Sequence, residues 1–198
     1  MSEALGPDLF SVKVAFELSG IHDFNPVVSR SKRWKRWFTN FGLRTCEYCK
    51  DKNGTLYEEK DVPKNEPPAH PNCKCYIDFI RAILAGTASI EGMDGADYTL
   101  FQHGTLPGHY VTKDDAKLAG WIKKEGNLRE VLPGASIGGD SYKNKDGKLP
   151  SSPRRLWFEA DMNYLGGFRS TPAHRVLYSN DGLVFVTYDH YKTFFEIN

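Results

Sequence analysis

The chain has 198 residues, of which 40% are hydrophobic, 26% charged and 13% aromatic, and its formal net charge is +1. Such a length allows one large domain or two small ones, and no apolar run approaches the roughly 20 residues of a membrane span, which excludes stable membrane insertion. Cutting after Asp97 leaves 13 basic against 14 acidic residues before it and 13 against 11 after it, so neither half is a polycation. If nucleic acid is a substrate, its recognition must be local rather than a general neutralisation of phosphate.

The N-terminal MSEALGPDLF has neither a basic nor an apolar signal region, so the expectation is no ordinary secretory signal. In RSKRWKRWFTNF, residues Trp34, Trp37, Phe38 and Phe41 fall at i, i+3, i+4 and i+7 with cations between them. That spacing predicts a basic amphipathic helix, with its aromatic stripe packed into a core and a membrane or RNA surface as the other destinations. Tyr76, Phe79, Ile80, Ile83 and Leu84 also have helical periodicity and stop at Gly86.

Between these segments lie Cys46-Glu-Tyr-Cys49 and His70-Pro-Asn-Cys73-Lys-Cys75, and all four cysteines of the chain fall here. Two such clusters brought together could supply the four ligands of tetrahedral zinc from Cys46, Cys49, Cys73 or His70, and Cys75. Disulfides and reduced structural cysteines are the competing readings, and Cys73-Lys-Cys75 is tighter than the usual ligand spacing. The run Thr45–Cys75 resembles the cysteine–histidine segment of phage Mu F-like minor head proteins over some 30 residues. Related segments occur attached to bacterial toxins, so this resemblance implies a delivery module.

The small, Gly-rich stretch Gly86–Asp97 suggests a boundary, giving a Cys/His-rich, mainly helical module over 1–88 and a second domain over 89–198. No internal repeat interrupts this division. In the second domain, Thr112-Lys-Asp-Asp115 has the form of a capping box, and Gly126 closes the stretch. Lys113 in the first turn would oppose the helix dipole, and spacing alone makes it a surface residue.

Leu156–Tyr164 alternates, with Trp157, Glu159, Asp161 and Asn163 on one face. Arg175–Ser179, Leu183–Thr187 and Lys192–Ile197 read as further strands, with a turn at Asn180–Gly182. The expected fold class is α+β, with helices followed by a four- to five-stranded antiparallel sheet. A carboxylate at Glu159, the histidine of Asp189-His190-Tyr191 and cations at Lys113, Arg169 and Arg175 could form an acid, a base and an anion clamp. From residue types alone this is a common assortment, and a surface histidine is the default.

The blocks LPGHYVTK ending at Lys113, PGASIGGD ending at Asp140, GKLP ending at Pro150, Glu159-Ala-Asp161, Gly167-Phe-Arg169, Arg175 and Asp189-His-Tyr191 resemble barnase and its relatives, in order and nearly in spacing. The similarity runs from about Ile90 to Asn198 and implies a guanyl-preferring microbial ribonuclease. It assigns the general base to Glu159, the general acid to His190, and phosphate binding to Lys113, Arg169 and Arg175. By the same resemblance Asp161 holds the arginines, Asp140 pairs with Lys113, and Tyr191 stands beside the product phosphate.

The guanine loop falls on Lys143-Asn144-Lys145-Asp146, where the family usually has Ser-Asn-Arg-Glu, so the expected guanine preference is reduced. Two extra residues between Arg169 and Arg175, in Ser-Thr-Pro-Ala-His174, require that loop to bulge. The implied partners are RNA and a barstar-like inhibitor, and no cofactor is expected for catalysis. Without a signal sequence, a specialised system would secrete or deliver the protein to the cytoplasm of a target cell. The competing functions are a phage minor head or virion-assembly protein with a non-catalytic binding domain, and a domain that grips RNA without cutting it.

Overall fold

The computed structural model describes residues 26–62, 66–170 and 173–198. The opening MSEALGPDLF and part of the predicted Ser170–His174 bulge lie outside them. Among the described residues nine strands form one sheet, in the order β2 (Leu56–Glu58), β1 (Val28–Phe38), β3 (Tyr76–Ile83), β9 (Phe195–Ile197), β8 (Val184–Thr187), β7 (Arg175–Ser179), β6 (Trp157–Asp161), β5 (Ser136–Tyr142) and β4 (Tyr110–Val111). Among the described residues, no helix is long and apolar enough to cross a membrane.

Strands β5 (Ser136–Tyr142), β6 (Trp157–Asp161), β7 (Arg175–Ser179), β8 (Val184–Thr187) and β9 (Phe195–Ile197) pair antiparallel in sequence order. Short β4 (Tyr110–Val111) pairs parallel with β5. One sheet face carries Ala160, Met162, Val176, Val184 and Val186, which pack with Ala96 and Leu100 of helix α2 (Ala96–His103). The other buries Trp157, Leu177, Phe185 and Phe194 around Leu149. The alternation read along β6 therefore sorts its side chains between two different environments. Helix α3 (Lys113–Leu118) starts as its capping box requires, with Thr112 Oγ1 accepting from the Asp115 amide at 3.2 Å. It ends at Leu118, well before Gly126, because Ala119 and Gly120 turn the chain and Trp121 drops into a small core with Ala116, Leu128 and Ile137.

The N-terminal region departs from expectation. Both predicted helices are strands: β1 (Val28–Phe38) and β3 (Tyr76–Ile83), with β2 (Leu56–Glu58) on the outer edge. Helix α1 (Glu47–Lys52) is the helix of this region among the described residues, so the module is not mainly helical. The misleading period in β1 arises because both faces of the strand are covered, Trp34 and Trp37 each being buried. The pairing of β1 with β3 shifts register between Arg30 and Lys35, where Ser31 Oγ accepts from the amides of Arg33 and Trp34 at 3.1 and 2.9 Å.

Trp34 and Trp37 then fall on opposite faces of a strand instead of one face of a helix. Trp34 enters the core of Trp157, Leu177 and Phe185, while Trp37 meets Tyr48 of α1 edge-on at 6.1 Å. Phe41 lies beyond the strand and is exposed.

Strand β3 joins β9 in parallel through Ala82 with Glu196 and Ile83 with Ile197. The junction is reinforced by Ala85 N–H to the Asn198 carbonyl at 2.9 Å and by the Ser31 hydroxyl, which donates to buried Glu196. Ile83 and Ala88 belong to the helix-side core, and Trp34 and Ile80 to the opposite one. Strands on both sides of the proposed 88/89 boundary thus share one sheet and both cores.

Candidate active site

Two adjacent strands and a helix start bring the central side chains together. Glu159 and Asp161 sit two residues apart on β6 and project from the same face, beside Leu177 and Arg175 of β7 in the register. On the other side, the β5–β6 register shifts between Gly138 and Asp140, so Asp140 stands opposite Glu159. Gly139 makes this bulge possible: its φ of +91° is a conformation that side chains resist.

Thr112 caps α3 so that Lys113 enters the site at its first turn. The Lys113 ammonium donates to Glu159 Oε1 at 2.6 Å and lies 3.6 Å from Asp140 Oδ2. Its backbone amide points at both Asp140 oxygens at 3.3 Å. The surface expectation for Lys113 is therefore replaced by a half-buried contact at the site, and two carboxylates compensate its charge at a helix start.

Asp161 is fully buried and anchors both arginines. Arg169 donates to it from Nε and Nη2, each at 2.6 Å, in the fork geometry that suits a carboxylate. Arg175 Nε lies 3.0 Å from Asp161 Oδ1 but is not aligned for a hydrogen bond. The other Arg175 donors go to the carbonyls of His174 and Arg169, at 2.6 and 2.7 Å. Arg175 is thus turned inward, bracing the backbone that carries Arg169. His174, also buried, accepts at Nδ1 from the Asn163 side-chain amide at 3.0 Å, and burial beside Arg175 pushes it down to about 4.

Burial alone would raise the Glu159 carboxyl. Hydrogen bonds from Lys113 and Tyr191, with the charges of Lys113 and Arg169, outweigh that and hold it below the ordinary glutamate value. The group is therefore an anion at neutral pH, with its Oε2 accepting from the Tyr191 hydroxyl at 2.6 Å. Burial first, then this bond to Glu159, pushes the Tyr191 phenol upward, so it remains a donor.

His190 is exposed on the loop between β8 and β9, and both His190 and Tyr191 adopt positive φ, 55° and 67°. Non-glycine residues hold this backbone only when their surroundings impose it. Here Asp189 does so: its Oδ1 accepts from the amides of Lys192 and Thr193 at 3.0 and 2.9 Å, and its Oδ2 from the Thr193 hydroxyl at 2.7 Å. Thr187 Oγ1 accepts from the Tyr191 amide at 3.1 Å, Lys148 donates to the Tyr191 carbonyl at 3.0 Å, and Tyr142 stacks on the Tyr191 ring at 5.4 Å. Sequence reasoning missed Asp189, Thr187, Lys148 and Tyr142 as supports. An Asp followed at three and four residues by amides it can cap was the available signal for the first.

In the loop 143–146, the Asn144 side chain turns inward, donating to the Leu149 carbonyl at 2.8 Å and accepting from the Leu149 amide at 3.0 Å. Asn144 therefore shapes the loop with its side chain, while Lys143, Lys145 and Asp146 are exposed.

Away from this site the second cluster assembles at the start of α1. Cys46 and Cys49 Sγ each lie 3.2 Å from His70 Nε2, and Cys49 Sγ lies 3.7 Å from Cys73 Sγ. Cys49, Cys73 and Cys75 form an overlapping group, with Cys75 also in contact with the Thr39 hydroxyl. None of the four is in a disulfide. Burial acts to raise Cys73, but amide hydrogen bonds from Cys75 and Ala69 prevail and bring its thiol down to about 7.

The bond network around Glu159 and His190 lies within the part of the chain that matches known proteins. A sequence profile described as ribonuclease matches residues 94–198. Proteins named ribonuclease from Heyndrickxia coagulans, Bacillus intermedius and Bacillus pumilus are each 50% identical over 111 residues, 56% of this chain. The match covers 99% of the first relative and 67% of the other two. With the profile spanning more than half its length, the chain belongs to the ribonuclease family.

Proposed function

We propose that the protein is an endoribonuclease that cleaves single-stranded RNA by transesterification, with Glu159 as general base and His190 as general acid. The observation that carries this reading is the ionised Glu159 carboxylate, set among Lys113, Tyr191 and the Asp161-held Arg169. Glu159 takes the proton of the ribose 2′-hydroxyl, the resulting oxygen attacks phosphorus, and His190 protonates the departing 5′-oxygen. The product is a 2′,3′-cyclic phosphate. Water then opens it with the two roles exchanged, as microscopic reversibility requires.

Lys113 and Arg169 supply charge to the phosphorane, and donors of this kind are worth roughly 3 kcal/mol each in other enzymes. Arg175, committed to Asp161 and two carbonyls, acts mainly by holding Arg169. No metal takes part in any of these steps. Backbone groups of Lys143–Asp146 read guanine, and Asp146 accepts from the base. This preference is weakened, because the aspartate arm is one methylene shorter than the family's glutamate.

The N-terminal cluster offers two triads that share Cys49, Cys46–Cys49–His70 and Cys49–Cys73–Cys75, and a structural zinc there would draw Cys73 or Cys75 toward the first triad to complete four ligands. Tetrahedral zinc with sulfur and nitrogen ligands has edges of about 3.5–3.8 Å, and the contacts here are 3.2 and 3.7 Å. Zinc would tie α1 to the segment leading into β3. We read this region as a delivery module of a toxin, and a barstar-like protein that covers the active site as its neutralising partner.

Glu159→Ala tests the assignment. It removes cleavage while RNA binding, measured by fluorescence anisotropy, stays within a few-fold of the parent. Retained cleavage contradicts the role of Glu159. The competing virion-assembly reading predicts zinc binding with no cleavage by the parent protein at all.

A further inference from the structure

The N-terminal strands create a surface next to the catalytic loop that the family match does not include. Strand β3 pairs with β9 at Ala82 and Ile83, and beside its earlier residues lies a cleft of about 550 Å³. That volume is typical of ligand sites. Arg30, Arg36 and Arg81 line the cleft against one carboxylate, Asp78. Aromatic faces alternate with these cations: Phe38 stacks with Tyr76 at 5.3 Å, and the Arg30 guanidinium sits 3.3 Å above the Phe79 ring. Tyr76 is 53% exposed. Strand β1, which also carries Lys32, Arg33 and Lys35 outside the cleft lining, contains no acidic residue.

We propose that this cleft is a subsite for single-stranded RNA, holding the nucleotides 3′ of the scissile bond. Interleaved cations and stacking rings match the chemistry of a polynucleotide strand, whose phosphates meet arginine while its bases stack on aromatic faces. Continuity with the active site gives the direction. His190 donates its proton to the 5′-oxygen of the downstream nucleotide, so that strand leaves past His190. Thr193, three residues along the same loop, lines the cleft, and three residues span at most roughly 11 Å. The Asp189 hydrogen bonds fix the loop between them. The direction, though not the cleft, rests on the catalytic reading above. The near-neutral ribonuclease half thereby acquires its basic surface from the N-terminal strands.

The test uses the full chain and two labelled ten-nucleotide RNAs, each with 2′-deoxyguanosine as its one guanosine, so that neither is cut. One carries eight nucleotides 3′ of the guanosine and the other eight nucleotides 5′ of it. R30A/R81A is expected to bind the 3′-extended strand about tenfold more weakly and to lower its salt slope by roughly 1.4, two phosphate contacts at ~0.7 each. Binding of the 5′-extended strand should hardly change. R30K/R81K, which keeps the charge and controls for folding, should retain the salt slope. Equal losses on both strands, or no loss on either, overturn the proposal. Cleavage of the all-ribose 3′-extended strand is followed in parallel. If that strand stays intact, it is the catalytic reading that fails.

Discussion

The two ends of the sheet contrast in how they carry function. Toward one end, β5 to β7 hold Glu159, Asp161 and Arg175 with side chains that are buried or nearly so, Glu159 paired with Lys113 and Asp161 with Arg169 and Arg175. On β1 and β3, arginines line an open cleft, and the cysteines gather beside α1. The first region is preorganised by its own carboxylates. The second is joined to the first through β9 and the two shared cores. Chemistry that needs fixed proton donors and acceptors sits where side chains are buried and paired, and adaptable contacts sit where they face an open cleft.

The sharpest way to break that contrast is Asp161→Ala. Removing the buried partner of two arginines should cost about 3–5 kcal/mol of stability and abolish cleavage, read from urea unfolding and initial rates. A mild effect on both would mean that Arg169 is positioned by something else. Trp34→Ala tests whether the two ends are one cooperative body. Trp34 packs with Trp157, Leu177 and Phe185, so the variant should lose up to ~3–5 kcal/mol, and the unfolding transition should shift as a whole by every probe. A shift confined to N-terminal signals would show that the ribonuclease half stands independently.

The acid limb of the pH–rate profile comes next. Glu159 is depressed in the folded chain, so its ionised form adds stability above the unfolded carboxylate value near ~4.3, and that contribution is lost as pH falls through the lower folded value. For kcat/KM the account expects the acid limb below that value, moving upward in Lys113→Ala, where the charge and hydrogen bond of Lys113 are gone. An unmoved limb would separate Lys113 from Glu159. The smallest expected effect is on base choice. Asp146→Glu should raise discrimination for guanosine over adenosine by roughly tenfold, about one charged hydrogen bond, measured on paired dinucleotides.

The ease of reading the sequence followed the same division. Alternation over Leu156–Tyr164 and the run Arg175–Ser179 correspond to β6 and β7 because regular strands leave a period of two. Thr112 signalled its cap because capping is a local interaction. The Trp34–Trp37 spacing misled because a three-residue step puts the two rings on opposite faces of β1 and both faces are covered, which looks like one helical stripe in the sequence. The pairing of β3 with β9 joins residues more than a hundred positions apart and leaves no local trace. At the site, residue types pointed to Glu159 and His190 only with the family resemblance beside them. The inward turn of Arg175 and the cage around Asp189 depend on tertiary geometry.

The most direct test of the central claim is incubation, in EDTA, of the purified protein with a labelled RNA containing one guanosine, beside His190→Ala and a DNA copy. The account predicts a cut 3′ of the guanosine ending in a 2′,3′-cyclic phosphate, greatly reduced by His190→Ala, and intact DNA. An uncut RNA, a product without the cyclic phosphate, or cleavage of the DNA would contradict it.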